Sequence, residues 1–174
     1  MTDARRPTFA EVYDQHVWDV YGFLAYRLGR RQDAEDLTQL TFERALKAWG
    51  RFDPTRAQPA TWLLAIARNV LIDHWRADRS AQHEALDPDA PGLPSHGIGA
   101  DLGFEPELER AMSGLGDRDL ELLALRFGAD LTGQQIAELS DMSLAAVQQS
   151  LSRSLRRLRE ALEPGRSAAP AERS

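Results

Sequence analysis

The chain has 174 residues and a formal net charge of −6, and it contains no cysteine, which excludes disulfides and thiolate-bound metal. No apolar run approaches the roughly 20 residues that span a bilayer, so we expect a soluble, cytoplasmic protein without membrane insertion. The acidity is local, because residues 80–109 carry seven Asp or Glu side chains and no Lys or Arg. The total charge therefore does not argue against a nucleic-acid partner.

A capping box opens the first predicted helix. Thr8 is the expected N-cap, and Glu11 is placed to return its hydrogen bond. The apolar positions that follow recur at helical spacing as far as Leu28, and Gly29 is placed to end the helix. We expect the Tyr and Trp residues of this row to belong to the core.

Two further helices are predicted over 33–49 and 59–79. Asp33 is the expected N-cap of the first, and Pro59 suits the first helical position of the second. The expected apolar stripe of the first helix is Ala34, Leu37, Thr41, Leu46 and Trp49. That of the second is Trp62, Ile66, Ala67, Val70 and Trp75. The pattern predicts a first domain of three or four helices over residues 1–79.

Proline and glycine interrupt every periodic pattern over residues 80–106. This composition predicts a flexible acidic linker without stable secondary structure before Glu107. An Ala-, Pro- and Ser-rich tail, 164–174, is expected to be disordered.

The second predicted domain covers residues 107–163 and ends in a helix-turn-helix. A helix is expected over 117–127, with Leu120, Leu123, Ala124 and Phe127 as its apolar stripe. Thr132 and Gln135 form a second candidate capping box, before a short helix, a turn at 140–143 and a longer helix from Leu144. The expected shared core is Ile136, Ala137, Leu139, Met142, Val147, Leu151, Leu155 and Leu158.

Several motifs in this order resemble the extracytoplasmic-function sigma factors, the small promoter-recognition subunits of bacterial RNA polymerase. Region two of that family is matched by DAEDLTQ (33–39) with Phe42 and Ala45, by IARN (66–69) and by Asp73 with Arg76. Region four is matched by GLGDRDLELLALRF (114–127), IAEL (136–139) and AVQQSLSRSLRRLREAL (146–162). The implied fold is all-α, with two small helical domains.

The resemblance implies three surfaces. The clamp helices of the largest polymerase subunit would dock on Asp36, Leu37, Gln39, Phe42, Glu43 and Arg44. Unpaired bases of the minus-ten element would meet Arg51, Phe52, Arg56, Arg68, Asn69, Asp73, Arg76 and Arg79, residue types that suit stacking and phosphate contacts. The minus-thirty-five element would meet Ser143, Ala145, Ala146, Gln148, Gln149, Ser152, Arg153, Arg156 and Arg157. The flap of the second-largest subunit and an anti-sigma factor are further implied partners.

Four departures from the family pattern affect these surfaces. Leu40 stands where Glu is usual, which makes the polymerase face more apolar. Gln148 and Gln149 stand where the family often has cations, and Asp141 occupies a turn position where Gly is common. The basic run after Asp73 is thinner than usual. We therefore expect weak, shallowly salt-dependent recognition by the last helix.

No nucleophile-base pair, phosphate loop, cofactor fingerprint or set of metal ligands is visible in the sequence, so we expect neither enzyme activity nor a cofactor. The expected function is that of a sigma factor, which selects promoters and melts them together with core RNA polymerase. Two alternatives stay open. One is a helix-turn-helix regulator that binds duplex DNA without polymerase, and the other is a sigma-like protein that acts through protein partners. The acidic linker is expected to mimic nucleic acid within the polymerase cleft.

Overall fold

The computed structural model describes residues 6–84 and 103–163, apart from the side chains of 82–84. Every regular element in these two ranges is helical, which confirms the all-α prediction. The helices are α1 Phe9–Arg27, α2 Arg31–Ala48, α3 Pro59–Glu84, α4 Pro106–Ser113, α5 Asp117–Leu123, α6 Gly133–Ser140 and α7 Leu144–Leu162. A short 3-10 turn, Trp49–Arg51, follows α2, and a π-helical turn, Ala124–Gly128, continues α5.

Both predicted capping boxes are present. The Thr8 hydroxyl accepts from the Glu11 amide while the Glu11 carboxylate accepts from the Thr8 amide, and Thr132 and Gln135 repeat the arrangement before α6. The predicted N-cap of α2 is wrong, because α2 begins at Arg31 with Arg30 as its N-cap. Asp33 instead lies in the first turn, where a carboxylate stabilises the positive end of the helix dipole.

The end of α3 and the start of α4 make the segment between the helices shorter than the predicted linker. Pro59 opens α3 as expected, but the helix continues beyond residue 79 to Glu84, since no Pro or Gly interrupts residues 80–84. At the other end, α4 begins at Pro106, one residue before the expected start. Residues 85–102 of the predicted linker and the predicted tail at 164–174 lie outside the described residues.

One apolar core joins the helices of both predicted domains. Val20, Phe23 and Leu24 of α1 belong to the same buried cluster as Leu125 and Ile136 from the second half. Three residues assigned to apolar stripes are instead exposed: Leu46 by 58%, Phe127 by 50% and Leu155 by 41%. Since α2 and α7 bury only one side each, Leu46 and Leu155 fall on the open side of the helix or at its edge, whereas Phe127 lies in the π-helical turn.

Helix α1 crosses the π-helical turn at very close range. A Cβ atom on Gly22 would overlap the Gly128 carbonyl oxygen, and one on Gly128 would lie 2.5 Å from the Gly22 carbonyl oxygen. Only glycine allows the two backbones to approach so closely. The two halves of the chain therefore pack directly on each other.

Candidate nucleic-acid and protein interfaces

A groove of about 640 Å³ runs between α1 and α2. Gln39 and Glu43, two residues of the predicted polymerase surface, form part of its polar edge. Tyr13, Trp18 and Leu46 supply apolar lining, and the Trp18 side chain is 74% exposed. An apolar floor with a polar rim suits a protein partner.

Two other residues of the predicted polymerase surface are buried. Leu37 is 7% exposed, in keeping with its place in the predicted apolar stripe, and Phe42 is 6% exposed, which corrects its expected outward position. The Phe42 ring packs edge-on against Tyr13 at 4.7 Å and against Phe9 at 6.4 Å between centroids. Phe42 thus belongs to the floor of the groove, because α1 covers this side of α2.

Sequence reasoning missed the α1 side of the groove. Tyr13 and Trp18 were assigned to the core because they lie in a helical row of apolar residues. Trp18 instead rests edge-on against Tyr21, at 5.9 Å between centroids. Periodicity alone does not distinguish the side of an aromatic row that faces the core from the side at its rim.

The segment between α2 and α3 is built on three stacked aromatic rings. Phe52 lies parallel to Trp49 at 4.9 Å and packs against Trp62 at 4.8 Å. Since Phe52 is only 4% exposed, its ring is not presented to a base, contrary to its predicted role. Its neighbours Arg51 and Arg56 are exposed, as expected for phosphate contacts.

A turn centred on Asp53 shapes the same segment. The Asp53 carboxylate accepts hydrogen bonds from the Thr55 hydroxyl at 2.7 Å and from the Thr55 amide at 2.9 Å. These bonds, from the hydroxyl first and the amide second, lower the pKa of Asp53 below its ordinary value of 3.8. The ionised carboxylate holds the turn that displays Arg56.

Helix α3 holds the remaining residues of the predicted minus-ten surface, and two of them have partners within the chain. Arg68 forms an ion pair with Glu121 of α5 and donates to the Leu139 carbonyl at 3.3 Å. Asp73 accepts from Arg44 of α2 at 2.8 Å. The other predicted residues of α3, Asn69, Arg76 and Arg79, are exposed.

The pair of Arg44 and Asp73 changes the predicted division of surfaces. Arg44 was expected on the polymerase face and Asp73 on the DNA face, yet the two side chains meet between α2 and α3. Both are about half exposed, so solvent screens the pair and its contribution to stability is small. The two predicted surfaces therefore adjoin at this point.

Helix α7 separates its buried and exposed residues cleanly. Val147, Ser150, Ser154 and Leu158 are buried against the rest of the protein. The opposite side brings together five residues of the predicted minus-thirty-five surface, which line an open groove: Ala145, Gln148, Gln149, Ser152 and Arg153. Ser143 caps the helix, and its hydroxyl accepts from the Ala146 amide at 3.1 Å.

The other cations of α7 lie along its outer side. Arg156 is 3.9 Å from Glu160 and Arg157 is 3.9 Å from Asp119, and both arginines are more than half exposed. Such exposed pairs exchange readily for phosphate. The turn before α7 places Asp141 in the left-handed region with φ 52°, which explains why glycine suits this position.

Within 6–84 and 103–163, no helix is long and apolar enough to cross a membrane, and no group of three His, Asp or Glu side chains is placed to hold a metal ion.

Two family profiles match the chain. Residues 12–81 match Sigma-70 region 2, and residues 111–160 match Sigma-70, region 4. The first match covers α1, α2 and nearly all of α3, and the second covers α5 and the helix-turn-helix.

Curated relatives carry the same two regions. The chain is 30% identical to the ECF RNA polymerase sigma factor RpoE of Cereibacter sphaeroides over 153 residues, which cover 87% of this chain and 84% of that one. It is 28% identical to SigM of Bacillus subtilis over 87% of this chain and 93% of that one. A 42% match to BldN of Streptomyces coelicolor covers 41% of this chain and only 27% of that relative.

Solved structures share the fold. The sigma factor RpoE of Bartonella quintana, in complex with the anti-sigma factor NepR, gives a TM-score of 0.68 at 22% identity over 91% of this chain and 98% of that one. CnrH, in complex with the cytosolic domain of CnrY, gives 0.63 at 22% identity over 90% of this chain and 88% of that one.

Proposed function

Because this chain belongs to the extracytoplasmic-function sigma factors of the sigma-70 family, it acts in promoter-specific transcription initiation with RNA polymerase, and we propose that three of its surfaces divide this work. The groove between α1 and α2 binds core polymerase. The exposed cations of the 49–58 segment and α3 bind the unpaired minus-ten strand, and the exposed side of α7 binds the minus-thirty-five duplex.

The observation that carries this proposal is the separation of sides on α7. Five polar or small residues from the predicted set line one open groove, while Val147 and Leu158 face inward. A helix-turn-helix places such a side in the major groove. Gln148 and Gln149 are both exposed there, and a glutamine amide is able to bond adenine at two points.

The polymerase contact centres on Trp18 and Gln39 at the mouth of the groove between α1 and α2. Exposed tryptophans are frequent among the residues that dominate protein interfaces. Trp18→Ala and Gln39→Ala are therefore expected to weaken binding to core polymerase, Trp18→Ala by about 2 kcal/mol or more and Gln39→Ala by about 1 kcal/mol. Asp36 is exposed on α2 like Gln39, and Asp36→Ala is expected to weaken core binding by a similar amount.

Core binding is measured by competition with a labelled sigma factor, and unfolding by urea denaturation. Lys47→Ala is the matched control, because Lys47 is exposed on α2 and lies outside the groove lining. The three test variants should unfold at the urea concentration of the parent protein. Equal core affinity for all variants would overturn the assignment of this groove, and unfolding of Trp18→Ala would assign that residue to the core.

The minus-ten contact rests on Arg51 and Arg56 in the segment before α3, and on Asn69, Arg76 and Arg79 along α3. These side chains are exposed, and single-stranded DNA is held mainly by phosphate contacts and stacking. We propose that Phe52, which is buried, supports this surface rather than binding a base. Holoenzyme with Arg56→Ala is expected to form open complexes more slowly, as measured by permanganate reactivity of the minus-ten strand.

One experiment decides among the functions left open by the sequence. The whole chain is mixed with core polymerase on promoter DNA, and the footprint is compared with that of the chain alone. A sigma factor protects and melts the promoter only with polymerase. A footprint by the chain alone identifies a conventional helix-turn-helix regulator, and the absence of RNA with any promoter favours a protein that acts through other protein partners.

We further propose that the chain acts in the cytoplasm, where polymerase and chromosome are, and that it contributes no catalytic residue of its own. An anti-sigma factor is a further proposed partner, since the sigma factor RpoE and CnrH were both solved in complexes and both share this fold.

A further inference from the structure

The short segment before α1 reaches the C-terminal end of α2. Thr8 caps α1 and so fixes where the helix starts, and the Phe9 ring packs edge-on against Trp49 at 5.5 Å between centroids. Since Pro7 favours an extended backbone at the residue before it, the chain at Arg6 runs away from α1. The start of α1 and the end of α2 therefore place Arg6 beside the 49–58 segment.

Two contacts hold the Arg6 side chain at this place. Its guanidinium donates to the Trp49 carbonyl at 2.5 Å and lies over the Trp49 ring, 5.1 Å from the centroid. The same carbonyl accepts from the Phe52 amide at 3.1 Å, a bond that closes the 3-10 turn after α2. A cation is favourable here, because the last carbonyls of a helix carry partial negative charge. Arg6 thus joins the N-terminal segment to the turn that supports the proposed minus-ten surface.

Arg6 also lies near Arg56, a cation of that proposed surface. Both charges act on the Asp53 carboxyl. Its pKa is lowered by the Thr55 hydroxyl and the Thr55 amide, and then by the charges of Arg56 and Arg6. Solvent and salt screen exposed charges beyond a short range. Arg6 and Arg56 therefore belong to the same part of the protein surface.

The contacts of Arg6 leave its charge available for a phosphate. The side chain is exposed, and a guanidinium carries five N–H donors. Among residues 6–84 and 103–163, the hydrogen-bond acceptor of Arg6 is the Trp49 carbonyl, which is neutral. Arg68 differs in this respect, since it is paired with the Glu121 carboxylate.

We infer that Arg6 is a further strand-binding residue of the minus-ten surface, positioned by Trp49 so that its guanidinium and that of Arg56 contact phosphates of the same unpaired strand. The inference rests on the proposed function of the 49–58 segment. The match to Sigma-70 region 2 begins at residue 12, so Arg6 lies outside the matched range. A planar guanidinium is suited to this role, because it binds phosphate at two points while its face rests on an aromatic ring.

A purely structural role for Arg6 has a different consequence. If the guanidinium only anchored the segment before α1, its loss would lower the stability of the free chain. The number of phosphates that the protein neutralises on DNA would stay the same. One phosphate contact contributes about 0.7 to the log–log salt slope of single-strand binding. The salt slope therefore separates the two roles.

The test uses the whole chain with core polymerase and a labelled DNA fork that has an unpaired minus-ten strand and no minus-thirty-five element. Affinity is titrated at several salt concentrations. Arg6→Gln is expected to make the slope shallower by about 0.7, so that its loss of affinity is about 2.6-fold larger at about 50 mM salt than at about 200 mM. Arg56→Gln should change the slope by a similar amount.

Two further variants control this experiment. Arg6→Lys keeps the positive charge and should retain the slope of the parent, because lysine binds phosphate as a point charge. Arg30→Gln makes the same change as Arg6→Gln at an exposed site, the N-cap of α2. The 18 residues of α2 separate Arg30 from Trp49 by about 27 Å of helix, so its slope should equal that of the parent.

The stability of each variant is measured by urea denaturation, and core binding by competition with a labelled sigma factor. A parent-like slope for Arg6→Gln, beside a shallower slope for Arg56→Gln, would overturn the assignment of Arg6. An equal loss of slope in Arg6→Lys and Arg6→Gln would also overturn it, since the charge would then not be the cause. Reduced core affinity of Arg6→Gln at unchanged slope would assign Arg6 to the polymerase contact instead.

Failure of the proposed function is visible in the parent protein. Parent holoenzyme that does not bind the fork would overturn the minus-ten surface as a whole, and with it the role of Arg6. Parent holoenzyme that binds the fork and loses slope in Arg56→Gln supports that surface, whatever the result for Arg6→Gln.

Discussion

The candidate DNA surfaces on α3 and in the α7 groove differ in whether their charged side chains form ion pairs within the chain. On α3, Arg68 is held by Glu121 and Asp73 is held by Arg44. On α7, the groove formed by Gln148, Gln149 and their neighbours is open and carries one cation, Arg153. Arg68 of region two must therefore change partners before it binds DNA, whereas the α7 groove of region four is an open surface with little charge.

This difference shows that charge and availability are separate properties of a DNA-binding surface. The number of arginines alone would predict stronger phosphate binding by α3 than by the N-terminal half of α7. The internal pair of Arg68 with Glu121 reduces this lead in the free chain, because an arginine bound to a carboxylate must lose that partner before it gains a phosphate.

The largest expected effect comes from removal of the ring beneath the region-two surface. Phe52→Ala should destabilise the protein by about 3–5 kcal/mol, the usual cost of emptying a buried phenylalanine site, since Phe52 is stacked between Trp49 and Trp62. Urea denaturation measures this cost. Arg51→Ala, at the exposed neighbouring position, should unfold within about 0.5 kcal/mol of the parent and should weaken minus-ten binding by holoenzyme. Parent-like stability of Phe52→Ala would contradict a supporting role in the fold and would favour the predicted contact of Phe52 with DNA.

A cation added to the α7 groove should increase the salt dependence of duplex binding by region four. Gln149→Lys is expected to steepen the salt dependence of upstream duplex binding by about 0.9 in log–log slope, the increment for one additional phosphate contact. Arg153→Ala should make the slope shallower by a similar amount. The measurement is an affinity titration of the whole chain with core polymerase at several salt concentrations.

Gln32→Lys is the control for this series, because Gln32 is exposed on α2 far from α7 in the sequence. Its slope should equal that of the parent. A steep slope for the parent protein would contradict the view that the α7 groove carries little charge.

A smaller effect is expected at the turn of the helix-turn-helix. Asp141 and Asp130 both have φ 52°, so glycine relieves the same left-handed strain at either position. Asp141→Gly also removes an acid beside α7 and should strengthen duplex binding about threefold, the effect of one screened charge near a phosphate. Asp130→Gly should change thermal stability in the same direction without a change in DNA affinity. Equal affinity changes in both variants would assign the effect to the backbone.

The smallest expected effect is the pH dependence of the turn that displays Arg56. The pKa of Asp53 is lowered in the folded protein, by the Thr55 hydroxyl first and the Thr55 amide second. A carboxyl with a lowered folded pKa contributes stability above its unfolded pKa, and this contribution is lost as the pH falls through the folded pKa. The melting temperatures of the parent and Asp53→Asn should therefore differ slightly at pH 6 and converge below about pH 3. A difference that persists in acid would exclude the ionised carboxylate as its cause.

Much of the candidate site was predictable because its signals are local. The minus-thirty-five surface was implied by the family resemblance of one continuous stretch, 146–162, and the structure places five of its residues in one groove. The polymerase surface was half predictable, since the exposure of Gln39 and Glu43 follows from α2 alone. The burial of Phe42 does not, because Phe9 and Tyr13 of another helix cover it.

The amino-acid sequence by itself determined where the helices form, because capping boxes, proline at a first turn and 3.6-residue periodicity act over a few neighbouring positions. Only the tertiary structure decided which charged residues of those helices form ion pairs with each other. The bonds of Arg44 to Asp73, Arg68 to Glu121 and Arg27 to Asp117 join residues 29, 53 and 90 positions apart. No local pattern specifies such pairs, since they depend on how two backbones meet at Gly22 and Gly128.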